Sequence, residues 1–155
     1  MKKVKIYTDG ACSGNPGDGG WCAILIYKKI EKVLSGFEAE TTNNRMEMLS
    51  VIKGLSALKE PCQVELFSDS EYVVDSINLK RVFSWKENCW KTASKSQVKN
   101  VDLWEEILKL INVHKVKFVK VKGHSDNKYN NRCDKIAVEE YKKRKKINNV
   151  EDNQI

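Results

Sequence analysis

Two β-rich runs in this chain end alike. Val4-Lys5-Ile6-Tyr7-Thr8-Asp9-Gly10 and Val64-Glu65-Leu66-Phe67-Ser68-Asp69-Ser70 each place a hydroxyl residue, then an aspartate, before a small residue. Val, Ile, Tyr, Phe and Thr favour a pleated, half-buried backbone, and a side-chain period of two puts Val4, Ile6 and Thr8 on one face. A single Asp-Gly at a strand end is ordinarily a local turn. Two such ends point to a shared acidic site, because open α/β sheets bind ligands outside the carboxyl ends of their strands. The segment from Gly10 to Gly20 carries five glycines and a proline, so its backbone is expected to take positive φ and to lie close to another molecule.

The remaining elements follow from local pattern. Trp21 to Tyr27 is a continuous apolar strand buried on both faces, and Ile30 to Ala39 returns after a turn at Lys28-Lys29 as the third strand of an antiparallel meander. Thr41-Thr42-Asn43-Asn44 offers N-caps for a helix with Met46, Leu49, Ile52 or Lys53, and Leu55-Ser56 at helical spacing as far as Pro61. Glu71 to Asn78 and Asp102 to Ile111 read as further helices, Val116 to Val121 as a last strand, and Arg132-Cys133-Asp134 as the start of a final helix. The order implies an α/β (α+β) fold, one mixed sheet with three antiparallel strands first and helices packed on it.

Composition narrows the class. The 155 residues fit one domain, and with 41% hydrophobic and 32% charged residues and no long apolar run the chain reads as soluble, cytoplasmic and unconnected to a membrane. Five cysteines without a C-x-x-C pair argue for reduced thiols. A net charge of +7 favours polyanionic partners. Residues 80–99 hold Lys80, Arg81, Lys86, Lys91, Lys95 and Lys99 against the single acid Glu87, interleaved with Trp85 and Trp90. That mixture suits a sugar-phosphate backbone with base or sugar faces, although a run of charge is also how an ordinary solvated face looks.

Asp9 and Asp69 at strand ends, and Glu47 and Asp134 in helical first turns, occupy corresponding places. Glu47 also completes an Asn44-x-x-Glu47 pattern that resembles a capping box, so taken alone it reads as structural. Four gathered carboxylates repel one another unless cations neutralise them, and hard oxygen ligands suit Mg²⁺ or Mn²⁺ rather than zinc. Two such ions about 4 Å apart activate water and stabilise a leaving oxygen in phosphodiester hydrolysis. His124, after the last strand, is a candidate proton carrier or an ordinary loop histidine.

Thr8-Asp9-Gly10, Gly14-Asn15-Pro16-Gly17, Thr41 to Glu47, Ser68-Asp69-Ser70, Trp90-Lys91-Thr92, Lys99 to Trp104, Val121-Lys122-Gly123-His124 and Asn130-x-Arg132-Cys133-Asp134 together resemble bacterial ribonuclease HI, the type 1 ribonuclease H family. The resemblance runs in order over residues 4 to 141. It implies a five-stranded ribonuclease H-like fold over residues 1–141, with residues 80–99 as a basic protrusion; residues 142–155, poor in apolar side chains, are then a basic, disordered tail. It implies a monomeric endonuclease that cuts the RNA strand of RNA–DNA hybrids with two Mg²⁺ ions, or Mn²⁺, leaving 5′-phosphate and 3′-hydroxyl ends. Asp9, Glu47, Asp69 and Asp134 match the family's metal ligands, and His124 its histidine that assists proton transfer or product release. Asn15, Asn43, Asn44 and Glu71 match residues that sense RNA 2′-hydroxyls. Thr42 and Asn100 match a DNA phosphate pocket, and Trp85, Lys86, Trp90 and Lys91 fall in the protrusion.

The chain departs from the family pattern at Glu71, where relatives often have Gln, in Ser125 to Tyr129, which lack the usual His-Pro-Glu, and loosely over residues 78–84. Two rivals remain on sequence alone: a non-catalytic duplex-binding module on the same fold, which has no reason to keep four carboxylates, and a DNA-directed resolvase or integrase, which has no use for the asparagine set.

Overall fold

The computed structural model describes residues 1–122 and 127–153, with side chains to Arg144. Ten elements follow one another: β1 (Lys2–Cys12), β2 (Gly17–Tyr27), β3 (Ile30–Thr41), α1 (Asn43–Ser56), β4 (Cys62–Ser68), α2 (Glu71–Asn78), α3 (Arg81–Glu87), α4 (Val101–Val113), β5 (Lys115–Lys120) and α5 (Lys128–Asn153). The five strands form one mixed sheet in the order β3-β2-β1-β4-β5. β1, β2 and β3 pair antiparallel, as the short turn between β2 and β3 requires, while β4 and β5 join in parallel through helical crossovers.

Both sheet faces are covered around β1. On one side Ile6, Leu66, Met48, Leu55, Trp104 and Ile107 form the main core beneath α1 and α4. On the other, Tyr7, Cys22, Ile24, Cys133 and Ala137 form a second layer beneath α5. This two-sided burial explains why β1 changes from alternating exposure at Lys3 and Lys5 to unbroken burial from Ile6 to Gly10. All five cysteines are free thiols.

Several local expectations change. The glycine-rich stretch is mostly strand, since β1 runs to Cys12 and β2 begins at Gly17. No described glycine has positive φ. The glycines serve packing instead: a Cβ at Gly10 would fall under 3.0 Å from the backbone of Met46 and Glu47 in α1, and one at Gly20 equally close to Ala137 in α5. The basic Trp-bearing segment contains the helix α3, which its seven residues are too few to reveal by periodicity. The α5 backbone continues through the basic run to Asn153, beyond where low apolar content suggested disorder; Lys and Arg are good helix formers and extend a helix already anchored by Cys133 and Ala137.

Gly20→Ala is expected to lower the unfolding free energy by about 1–3 kcal/mol, because α5 must move off β2. Gly14→Ala, in the exposed turn and with its nearest neighbour at 3.2 Å, should cost far less; urea denaturation of both proteins at unchanged m-value checks the difference.

Candidate active site

Asp9 lies in the last part of the buried stretch of β1, and the parallel β4 ends one residue before Asp69. Thr8 ties the two strands together there, its hydroxyl donating to the Phe67 carbonyl at 3.2 Å. The turn after β4 is organised by serines: Ser68 Oγ accepts from the Ser70 N–H at 3.1 Å, and Ser70 Oγ caps α2 by accepting from the Val73 N–H at 3.2 Å. Ser70 is therefore the N-cap of α2.

Glu47 is carried in by α1. Its N-cap is Thr42, whose hydroxyl accepts from the Arg45 N–H at 3.2 Å, so the expected capping box at Asn44 does not form. Glu47 sits beyond the first turn and is only 5% exposed. Asp9, Glu47 and Asp69 each present a carboxylate oxygen within 4.8 Å of the others. Asp134 likewise lies past the first turn, because α5 starts at Lys128 rather than Arg132. It adds its negative charge to the field at Asp9 but is not among the three whose oxygens converge.

The cluster is electrostatically costly. Asp9 is 2% exposed; its Oδ1 accepts from the Gly10 N–H at 2.9 Å, while Asp9 Oδ2 and Glu47 Oε2 are buried without a hydrogen-bond partner. Burial is the largest reason that Asp9 titrates at about 7, with the charges of Asp69 and Asp134 adding to it and the Glu47 and Gly10 hydrogen bonds opposing. Burial likewise raises Glu47 well above the usual carboxylate range, followed by the charge of Asp9. Orphaned, buried, like-charged oxygens are what a hard divalent cation satisfies, so the residues present fit a metal ion.

The residues expected to contact substrate stand on several elements. Asn15, Asn43 and Asn44 are exposed at the start of α1, where Asn15 Oδ1 accepts from the Asn43 N–H at 3.3 Å and docks the β1–β2 turn onto the helix. Glu71 is exposed and pairs with Lys120 at 2.7 Å, which holds its carboxyl below the usual range. The negative charge that Glu71 brings has a partner on β5.

Asn100 adopts a left-handed backbone (φ 63°) at the head of α4. Its Oδ1 accepts from Arg45 Nη1 at 3.2 Å and its Nδ2 donates to the Tyr72 hydroxyl at 3.2 Å; Trp104 Nε1 donates to the same hydroxyl at 3.1 Å. Arg45 also forks onto Asp102 at 3.0 and 2.8 Å, which depresses the Asp102 carboxyl. Arg45, Tyr72 and Asp102 are thus site-building residues that sequence reasoning missed. Arg45–Asp102 joins α1 to α4 and Trp104–Tyr72 joins α4 to α2, so no local spacing signals either.

Trp85 and Trp90 are half-buried and pack against the core, with Trp85 edge-on to Trp104 at 6.3 Å. This packing anchors the protrusion to the core. Lys86 and Lys91 are exposed. His124 lies outside the described residues.

Because folding raises the Asp9 pKa from 3.8 to about 7, the folded state holds that proton more tightly than the unfolded one. The resulting contribution to stability is complete below about pH 4 and is lost as pH rises through 7. In EDTA, Asp9→Asn should therefore be more stable than the parent at pH 8, by on the order of 4 kcal/mol, and nearly equal to it near pH 4. Chemical denaturation at both pH values checks this; an equal difference at both would rule out the carboxylate as its source.

The RNase H family model matches residues 1–142. A ribonuclease H of Acetivibrio thermocellus is 62% identical over 146 residues, covering 94% of this chain and 99% of that protein. One of Caldicellulosiruptor saccharolyticus is 62% identical over 137 residues, covering 88% and 94%. Among solved structures, LC9-RNase H1 superposes with a TM-score of 0.81 at 28% identity, covering 91% of this chain and 72% of that one. LC11-RNase H1, solved in complex with RNA/DNA hybrid, superposes with a TM-score of 0.65 at 25% identity, covering 90% and 97%. A family match over nearly the whole chain, on the fold that carries these converging carboxylates, makes this enzyme a member of the ribonuclease H family.

Proposed function

We propose that this protein is an endonuclease that hydrolyses the RNA strand of RNA–DNA hybrids and leaves 5′-phosphate and 3′-hydroxyl ends. The observation that carries the reading is the convergence of Asp9, Glu47 and Asp69 within 4.8 Å, with one oxygen each on Asp9 and Glu47 buried and unpartnered. Asp9, Glu47, Asp69 and Asp134 would hold Mg²⁺, two ions once substrate is bound, with Mn²⁺ as a substitute. Such ions, when bound, supply an activated water and charge stabilisation at the leaving oxygen.

The chain's own groups do the rest. The Gly10 N–H holds Asp9 Oδ1 and leaves Oδ2 for a cation. Asn15, Asn43 and Asn44 offer amide donors and acceptors to 2′-hydroxyls, the groups that separate RNA from DNA. Glu71, as an acceptor, joins them, with Lys120 offsetting its charge. Thr42 accepts from Arg45, so its own O–H remains to donate to a phosphate oxygen. Asn100 spends Oδ1 on Arg45 and a single Nδ2 hydrogen on Tyr72, which leaves the other for the same DNA phosphate. Lys86 and Lys91 hold the backbone from the protrusion that Trp85 and Trp90 brace. His124 assists proton transfer or product release. The enzyme acts as a cytoplasmic monomer through a single domain over residues 1–141. Among the described residues no helix is long and apolar enough to cross a membrane.

End-labelled RNA–DNA hybrid, compared with RNA–RNA and DNA–DNA duplexes in Mg²⁺ and in EDTA, is the direct test. Cutting is expected only in Mg²⁺ and only in the RNA strand of the hybrid; binding without cutting under any divalent ion would leave a non-catalytic module. Asp9→Asn should abolish cleavage while hybrid binding persists, and a variant that still cuts at the parent rate would remove Asp9 from the metal site. Replacing Lys86 and Lys91 with Ala should reduce the slope of log K against log salt by about 1–2, since each lost phosphate contact removes just under one unit.

A further inference from the structure

The sheet carries a second, separate concentration of positive charge at the opposite ends of its parallel strands. Alternation puts Lys3 and Lys5 of β1, Gln63 and Glu65 of β4, and Lys115 and Lys117 of β5 on the same face as Tyr7 and Phe67. The registers align them in two rows across the sheet, Lys3–Gln63–Lys115 and Lys5–Glu65–Lys117. All six residues are exposed, and they line two adjoining depressions to which Lys28 also contributes. The helix on this face, α5, packs on β1, β2 and β3, and near its start Tyr129 lies tilted against Tyr7, ring centres 4.9 Å apart. Among the described residues no helix covers the two lysine rows.

Lysine on an exposed edge strand is a usual guard against strand addition, and that accounts for Lys115 and Lys117 on β5. It does not account for Lys3 and Lys5. β1 is the central strand of the sheet, where such a guard has no purpose. None of the four strand lysines takes part in an ion pair among the described residues, in contrast to Lys2 and Lys120, which pair with Glu60 and Glu71. With Glu65 as the single acid among them, the face keeps a surplus of positive charge.

We propose that this face binds the phosphate backbone of a nucleic-acid duplex, as a contact distinct from the carboxylate site. Charge complementarity and spacing both support a backbone. Lysines two residues apart on a strand stand about 6.7 Å apart, and those of β1 and β5 are about 9.6 Å apart across β4, a grid on the scale of neighbouring phosphates. A duplex fits better than a single strand because the six residues include no aromatic ring on which an unpaired base could stack. Lys5 precedes Asp9 by four residues, or about 13 Å of strand, so the two sites are separate. A second weak contact of this kind raises the local concentration of nucleic acid and keeps the protein on a long duplex after each cut.

The test is fluorescence anisotropy with a labelled DNA duplex several helical turns long, which the enzyme is not expected to cut, titrated at several salt concentrations. The protein carrying Lys3→Gln, Lys5→Gln and Lys117→Gln should show a slope of log K against log salt smaller by about 2–3 than the parent. The corresponding triple arginine variant should restore it, and cleavage of a short hybrid that fills only the carboxylate site should be unchanged. An unchanged slope overturns the proposal. So does an unchanged slope accompanied by lost binding to vesicles containing phosphatidylglycerol, which would make the face a membrane contact. Failure of the parent protein to cut the short hybrid would instead strike the catalytic reading, and the anisotropy result would stand apart from it.

Discussion

The structure is built around a repulsion. Asp9, Glu47 and Asp69 would separate if each were free to do so, since their oxygens lie within 4.8 Å and two of them are sealed from water without a hydrogen bond. They stay together because the sheet is clamped from both sides. The missing side chain at Gly10 lets α1 press onto β1 beside Glu47, and the missing side chain at Gly20 lets α5 press onto β2 at Ala137, one turn beyond Asp134. The hydrophobic layers above and below supply the force that offsets the buried charge. A cation at the site then relieves a strain that folding has already imposed, and its binding and the stability of the fold are linked.

Asp9 and Glu47 are buried and Asp69 half-buried, whereas Arg45 and Lys120 lie nearer the surface and are matched to Asp102 and Glu71. Matched pairs so placed add little stability. Their value is orientation: Arg45 fixes both the start of α1 and the Asn100 amide, and Tyr72 accepts from Asn100 and Trp104 together. The Thr42 hydroxyl and the Asn100 amide are therefore held in place by Arg45 and Tyr72.

Much of this was readable beforehand. Element order, the antiparallel start and the strand-end aspartates follow from periods of two and 3.6 and from turn residues, which act over a few positions. Where reading failed, the deciding contact was distant. Asn44-x-x-Glu47 looks like a cap until the burial of Glu47 beside β1 removes that role. The glycines of residues 10–20 look like turn residues, and become close-packing residues once α1 and α5 are laid on the sheet.

The sequence by itself determined the kinds of group and their order along the chain: two aspartates after β-rich runs, an asparagine-rich helix start, a basic segment interleaved with tryptophan and a surplus of lysine. Local propensity and composition suffice for these because each depends on near neighbours alone. Only the tertiary structure decided which acids share one desolvated space, which cations neutralise which anions, and which lysines remain unpaired on an uncovered sheet face. Those outcomes depend on distance and dielectric between residues remote in the chain, and both are set by packing.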